Sequence, residues 1–185
     1  MARAFVALFR GINVGKAKRI AMADLRGIVE GLGYHDVQTL LNSGNLVFSG
    51  KGAIGRTAAG RIERALTAQL GIRSRVTVLS AAEVAAAIDE NPLTKIATEP
   101  ARLLIAVLAS PADRVKLAPL AQTDWAPEGF AVGGRVAYLW CANGILTSKL
   151  LSQMGRAVGD AVTTRNLATM TKIRALLAKM TKSRE

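Results

Sequence analysis

The order in which two hydrophobic periodicities alternate leaves few folds open to this chain. "ARAFVALF" (Ala2–Phe9) is an apolar run that reads as a buried strand. Met22, Leu25, Ile28, Val29 and Leu32 then recur at helical spacing, and Gly33 is placed to end that helix. "DVQTLL" and "NLVFS" follow as two strands joined around "NSGN" (Asn42–Asn45), where serine and glycine suit a tight turn. Ile62, Leu66 and Leu70 mark a second helix ended by Gly71, and "SRVTVLS" is a fourth strand. Strand, helix, strand, strand, helix, strand is the split-βαβ, ferredoxin-like order.

Ser80 and Glu83 in "SAAE" form a capping box, opening a helix that runs towards Asn91-Pro92 and bridges to a second half. There "RLLIAVLAS" is a strand, and Ser110-Pro111 starts a helix with serine as cap and proline at the first helical position. "GFAV" and "RVAYLWC" read as a hairpin across Gly133-Gly134, the two-residue turn with permissive φ. "ILTSKLLSQM" and Thr164–Met180 read as helices. The second half repeats the order of the first without a literal sequence repeat. The expected fold is α+β, with two packed ferredoxin-like (βαββαβ-type) subdomains and antiparallel sheets. The expected boundaries are an N-terminal subdomain over 1–80, a connecting helix and loop over 81–98, and a C-terminal subdomain with a terminal basic helix over 99–185.

Composition narrows the chemistry. Cys141 is the only cysteine and His35 the only histidine among 185 residues. An internal disulfide is excluded, as is a zinc site built from Cys and His of one chain. A Ser-His-Asp or Cys-His mechanism would have to use His35, which sits in the turn-like "GYHDV", is expected to be exposed and is not expected to be catalytic. No metal or other cofactor is expected. No apolar run is long enough to span a membrane, and "MARAFVALFR" reads as a strand with no cleavage site after it. These features fit a reduced, cytoplasmic protein without a membrane partner.

Charge points to the partner. Residues 1–27 carry six Lys/Arg against one Asp, and residues 142–185 carry eight against two acids. The remainder is nearly balanced, so the formal net charge of +12 sits at the two ends. A surface joining them would attract an anionic small molecule or nucleic acid. Aromatics are only 4% of the chain and are not interleaved with basic residues, which argues against single-strand stacking.

Two loops carry that charge. In "FRGINVGKAKR" three residues separate Gly11 from Gly15, and Ala17 stands where a Walker A hydroxyl belongs, so this is not a P-loop. The glycines still let backbone N–H groups turn towards an anion, with Arg10, Lys16, Lys18 and Arg19 nearby. The plain alternative is a loop in which Asn13 makes local turn bonds. In "TTRN", Thr163 or Thr164 is expected to cap the last helix, placing Arg165 in its first turn. The stripe Leu167, Met170, Ile173, Leu177 and Met180 reads as core, and Asp89-Glu90 as a solvated helix end.

"LFRGINVGK", "LLNSGNLVFS", "NPL" after a helix, "SKL" and "TTRNLATMTKI" together resemble the DUF1697 family of uncharacterised bacterial proteins, in the family's order and over nearly the whole chain. The resemblance implies two ferredoxin-like subdomains. It implies no established activity and so transfers no catalytic residue. Its signature positions fall on Arg10, Gly11, Asn13, Gly15, Asn42, Ser43, Gly44, Asn45, Ser148, Lys149, Thr163, Thr164, Arg165 and Asn166. The family commonly continues with Trp-Asn, where this chain has Leu167-Ala168. The leading expectation is a phosphate-bearing ligand, nucleotide-like or nucleic acid. Arg10, Lys16, Lys149 and Arg165 would meet the anion; Gly11, Gly15, Asn13, Asn42, Ser43, Asn45, Thr163, Thr164 and Asn166 would shape and orient the site. A small metal-independent enzyme on an anionic metabolite, and a basic protein-docking module, are the alternatives.

Overall fold

A computed structural model of the chain describes residues 2–13, 19–52 and 55–182. The chain divides into two compact units: residues up to Ala85 together with the chain from Lys172, and Ala86–Thr171.

The first unit contains β1 (Ala2–Phe9), α1 (Met22–Gly31), β2 (His35–Leu40), β3 (Asn45–Lys51), α2 (Gly55–Leu70) and β4 (Val76–Ser80). Its sheet has the order β2-β3-β1-β4, and every neighbouring pair is antiparallel. Alternate residues of the sheet, Phe5, Ala7, Phe9, Leu46, Phe48 and Val78, pack with Leu25, Ile28 and Val29 of α1 and Ile62 and Leu66 of α2. Val6, Leu8 and Val47 on the other face are equally buried. Burial on both faces is why β1 reads as a continuous apolar run instead of an alternating one. Asp36 has a φ of 52° and the β2–β3 register shifts between His35 and Gln38, a bulge that leaves His35 exposed at the strand start.

Between the sheets, α3 (Ala81–Asp89) opens on the predicted capping box. Ser80 N–H donates to Glu83 Oε2 at 2.8 Å and Glu83 N–H to Ser80 Oγ at 3.2 Å. The second sheet is built from β5 (Leu103–Leu108), β6 (Gly129–Val132), β7 (Val136–Trp140) and β8 (Val162–Asn166), in the order β6-β7-β5-β8. This is the strand order of the first sheet again, and again all pairs are antiparallel. Leu104, Ala106 and Leu139 pack with Leu117, Leu120 of α4 (Ala118–Ala121), and Leu150 and Met154 of α5 (Lys149–Val158). The last element is α6 (Leu167–Lys182).

Three local expectations are corrected. Residues 162–166 do not begin the last helix; they form β8 along the open edge of β5. An apolar central strand needs hydrogen-bonding partners on both edges, and β-branched Val162, Thr163 and Thr164 suit that ladder better than a helix start. Residues 111–117 form a 3-10 segment and not an α-helix, though Ser110 Oγ does cap it, accepting from Ala112 N–H at 3.4 Å. At the β6–β7 hairpin Gly133 N–H donates to Val136 C=O at 2.8 Å, yet neither Gly133 nor Gly134 has a left-handed φ.

Candidate functional site

In the first unit the signature residues meet where two loops are tied together. Arg10 follows β1; its N–H donates to Arg75 C=O at 2.9 Å and its own C=O accepts from Ser74 Oγ at 2.8 Å. Phe9 N–H donates to Gly44 C=O at 2.9 Å. Asn13, at a φ of 53°, donates from Nδ2 to Asn42 C=O and Ile20 C=O, both at 2.9 Å, while its Oδ1 accepts from Ile20 N–H at 2.8 Å. Asn45 is fully buried and donates from Nδ2 to Leu40 C=O at 2.9 Å and Ser43 Oγ at 3.1 Å. Gly44 sits at a φ of 76°, and a Cβ there would lie 2.7 Å from Ile12 Cγ1 and 2.9 Å from Phe9 Cβ. This glycine is required by backbone conformation and by close approach at once. Gly11 is also left-handed, with a φ of 64°. The Asn13 amide and the Phe9 N–H thus hold loop 10–13 against loop 41–45, which Asn45 braces from within, fixing where Arg10 leaves the sheet. Gly15 and Lys16 lie outside the described residues.

In the second unit Lys149 is an exposed residue at the start of α5. The free N–H groups of that helix start are already met: Ser148 Oγ accepts from Leu151 N–H at 3.0 Å and Glu128 Oε2 from Leu150 N–H at 3.2 Å. A carboxylate at the positive helix end is well placed. Cys141 is buried nearby, and desolvation pushes its thiol up, which leaves it a poor nucleophile.

Thr163, Thr164, Arg165 and Asn166 lie on β8, opposite Val107, Ala106, Ile105 and Leu104 respectively. The cap of α6 is Asn166 and neither threonine: its Oδ1 accepts from Thr169 N–H at 2.9 Å. Arg165 therefore stands outside the helix's first turn. Its Nη1 donates to Thr164 C=O at 2.8 Å and Thr163 Oγ1 at 3.2 Å. Desolvation lowers the Arg165 pKa to about 10, so the guanidinium remains charged at neutral pH.

Three polar groups outside the expected set stand out. The Tyr138 hydroxyl and Asn91 Nδ2 in the second unit, and Ser49 Oγ on β3 in the first, are shut away from solvent without a hydrogen-bond partner among the described residues. Tyr138 is 1% exposed, and burial, then the Glu90 charge, pushes its phenol up to about 12. "NPL" at Asn91–Leu93 was the only sequence signal for the two in the second unit. Among the described residues no group of three or more His, Cys, Asp or Glu could hold a metal ion, and no helix is long and apolar enough to cross a membrane.

Two antiparallel four-stranded sheets of one strand order, with helices laid on them, define an α+β protein of doubled ferredoxin-like type. The chain belongs to the family described as "Protein of unknown function (DUF1697)", whose model matches residues 2–138. The match ends before Ser148-Lys149 and Thr163–Asn166, so membership rests on residues 2–85 of the first unit and 86–138 of the second. The fold is similar to that of the conserved bacterial protein SP0830 from Streptococcus pneumoniae, with a TM-score of 0.72 and 22% identity over 96% of this chain and 99% of that one. Comparison with curated proteins gives no match.

Proposed function

We propose that this chain binds a phosphate-bearing or otherwise anionic ligand, with Arg165 as its principal cation. What carries the reading is the setting of that guanidinium. It lies half-buried on a sheet strand, and Nη1 donates to the oxygens of Thr163 and Thr164. A partly desolvated cation attracts an anion more strongly than one in water. The concentration of positive charge at the two ends of the sequence would speed the encounter.

The test is calorimetric titration of the full chain with a mononucleotide, a single strand and a duplex across a salt series. Arg165→Gln is expected to weaken whichever anion binds by tenfold or more. If the partner is a duplex, the log–log slope with salt is about −0.9 per phosphate contacted, and Arg165→Gln makes it shallower by about one. Binding that ignores Arg165→Gln, or no binding to any of the three at low salt, overturns the reading.

A further inference from the structure

Resting on that reading, we propose that Tyr138, Asn91 and Arg165 form the donor set of a site for a small phosphate monoester within the second unit. Ile105 is the register partner of both Tyr138 on β7 and Arg165 on β8. The three therefore form one row across the sheet, on one face, with Tyr138 and Arg165 about 10 Å apart at Cα, two strand spacings. That face is the one turned away from α5, because Leu104 and Ala106, on either side of Ile105 in sequence, pack with Leu150 and Met154. Thr163, two residues from Arg165, shares the face and is 3% exposed.

The third member comes from the segment that follows α3. A Cβ at Gly129 would lie 2.6 Å from Ile96 Cδ1, 3.7 Å from Leu93 Cδ1 and 3.5 Å from Trp140 Cβ. Gly129 pairs with Trp140, two residues along β7 from Tyr138, so the segment after Asn91 lies against this same face.

The chemistry of the three groups is uniform. Asn91 Oδ1 accepts from Leu93 N–H at 3.0 Å, which leaves Nδ2 as the uncommitted group and fixes it as a donor. The Tyr138 phenol keeps its proton at neutral pH, and Arg165 can only donate. A buried donor without an acceptor destabilises the fold. Two such groups in one small unit, on the face that holds the half-buried Arg165, call for an acceptor-rich occupant. Donors arriving from a covering loop, a strand and the next strand but one suit a tetrahedral oxyanion. They favour a small monoester over a polymer, because a duplex presents its phosphates on a convex surface.

The experiment titrates the full chain with inorganic phosphate and with a nucleoside monophosphate, against a DNA duplex, in the parent, Tyr138→Phe and Asn91→Asp. Tyr138→Phe keeps the ring, and its ligand-free Tm is expected to equal or exceed the parent's. Its affinity for the monophosphate is expected to fall at least tenfold. Asn91→Asp keeps the acceptor for Leu93 N–H but places an oxygen where the donor was, and is expected to abolish monophosphate binding. Monophosphate binding that is unchanged in Tyr138→Phe overturns the site. So does Arg165-dependent binding of the duplex alone, which leaves the general anion reading standing. Failure of every anion to bind the parent sinks both.

Discussion

In the first unit, Asn13 and Asn45 commit their side-chain amides to backbone carbonyls, and Gly44 closes against Ile12 and Phe9. In the second, Asn91 uses only its oxygen, and the Tyr138 hydroxyl meets nothing among the described residues, a state that only the Ser49 hydroxyl shares among the described residues of the first. Both sheets have the same strand order, so topology does not impose the difference. A polar residue typical of a family can be kept because a loop collapses without it, or because a ligand needs it. The hydrogen-bond inventory separates these cases where the sequence motif cannot.

Substitutions can break that comparison. The largest effect is expected at Gly44→Ala, where left-handed strain and overpacking against Ile12 and Phe9 act together, for a loss of about 3–5 kcal/mol. Gly33→Ala is the control, because Gly33 has a φ of 83° but nothing within 4 Å of a Cβ. It isolates the conformational part, about 1–2 kcal/mol. Equal losses in urea denaturation would show that the close approach at Gly44 is not real.

Asn45→Ala comes next. It removes two hydrogen bonds and leaves the Leu40 carbonyl without its amide partner, an expected loss of about 2–3 kcal/mol by the same measurement. If Asn45→Ala is as stable as the parent, its place in a folding role is lost and a ligand role regains ground. Asn166→Ala is smaller, about 1 kcal/mol for a lost helix cap, and Asn166→Asp is expected to retain most of it. A parent-like Tm in Asn166→Ala would return the cap to the threonines.

Tyr138→Phe is the smallest at neutral pH, within about 0.5 kcal/mol of the parent. Its signature lies in alkali. The folded phenol titrates at about 12, held up by burial and then by Glu90, against an ordinary 10.0. The folded parent keeps a proton that its unfolded chain releases in that window, so this contribution is complete below pH 10 and is lost on rising towards 12. Tyr138→Phe lacks that term, so the stability difference between the two is expected to move in the variant's favour across the window. Parallel denaturation curves over the same range would mean that the phenol is not desolvated.

The strands of the first unit were legible because their period is local: the apolar run at β1 and the four-residue steps along α2 depend on neighbours within two turns. β8 was not. "VTTRN" carries a perfectly good cap pattern, and only the open edge of β5, more than fifty residues away in sequence, turns it into a strand. The candidate residues divide in the same way. Their location in loops and at element ends could be read directly, because polar and glycine residues interrupt the apolar pattern. What each asparagine bonds to could not, since Asn13 reaches a carbonyl 29 residues away. Tyr138 was hidden for a simpler reason: within "RVAYLWC" it looks like any core aromatic, and its unsatisfied hydroxyl exists only in three dimensions.

One feature of the fold bears on how the chain is made. α6 starts at Leu167 beside β8, but from Lys172 onward it is grouped with the first unit. That unit is therefore assembled from two stretches of chain with the whole of the second unit translated between them. On the ribosome its sheet emerges early, at about 5–20 residues per second, while the helical segment from Lys172 follows only after Ala86–Thr171 has been synthesised. Until then the first unit must wait for its last segment. The first unit is thus complete only after the second has been made, although its sheet is made first.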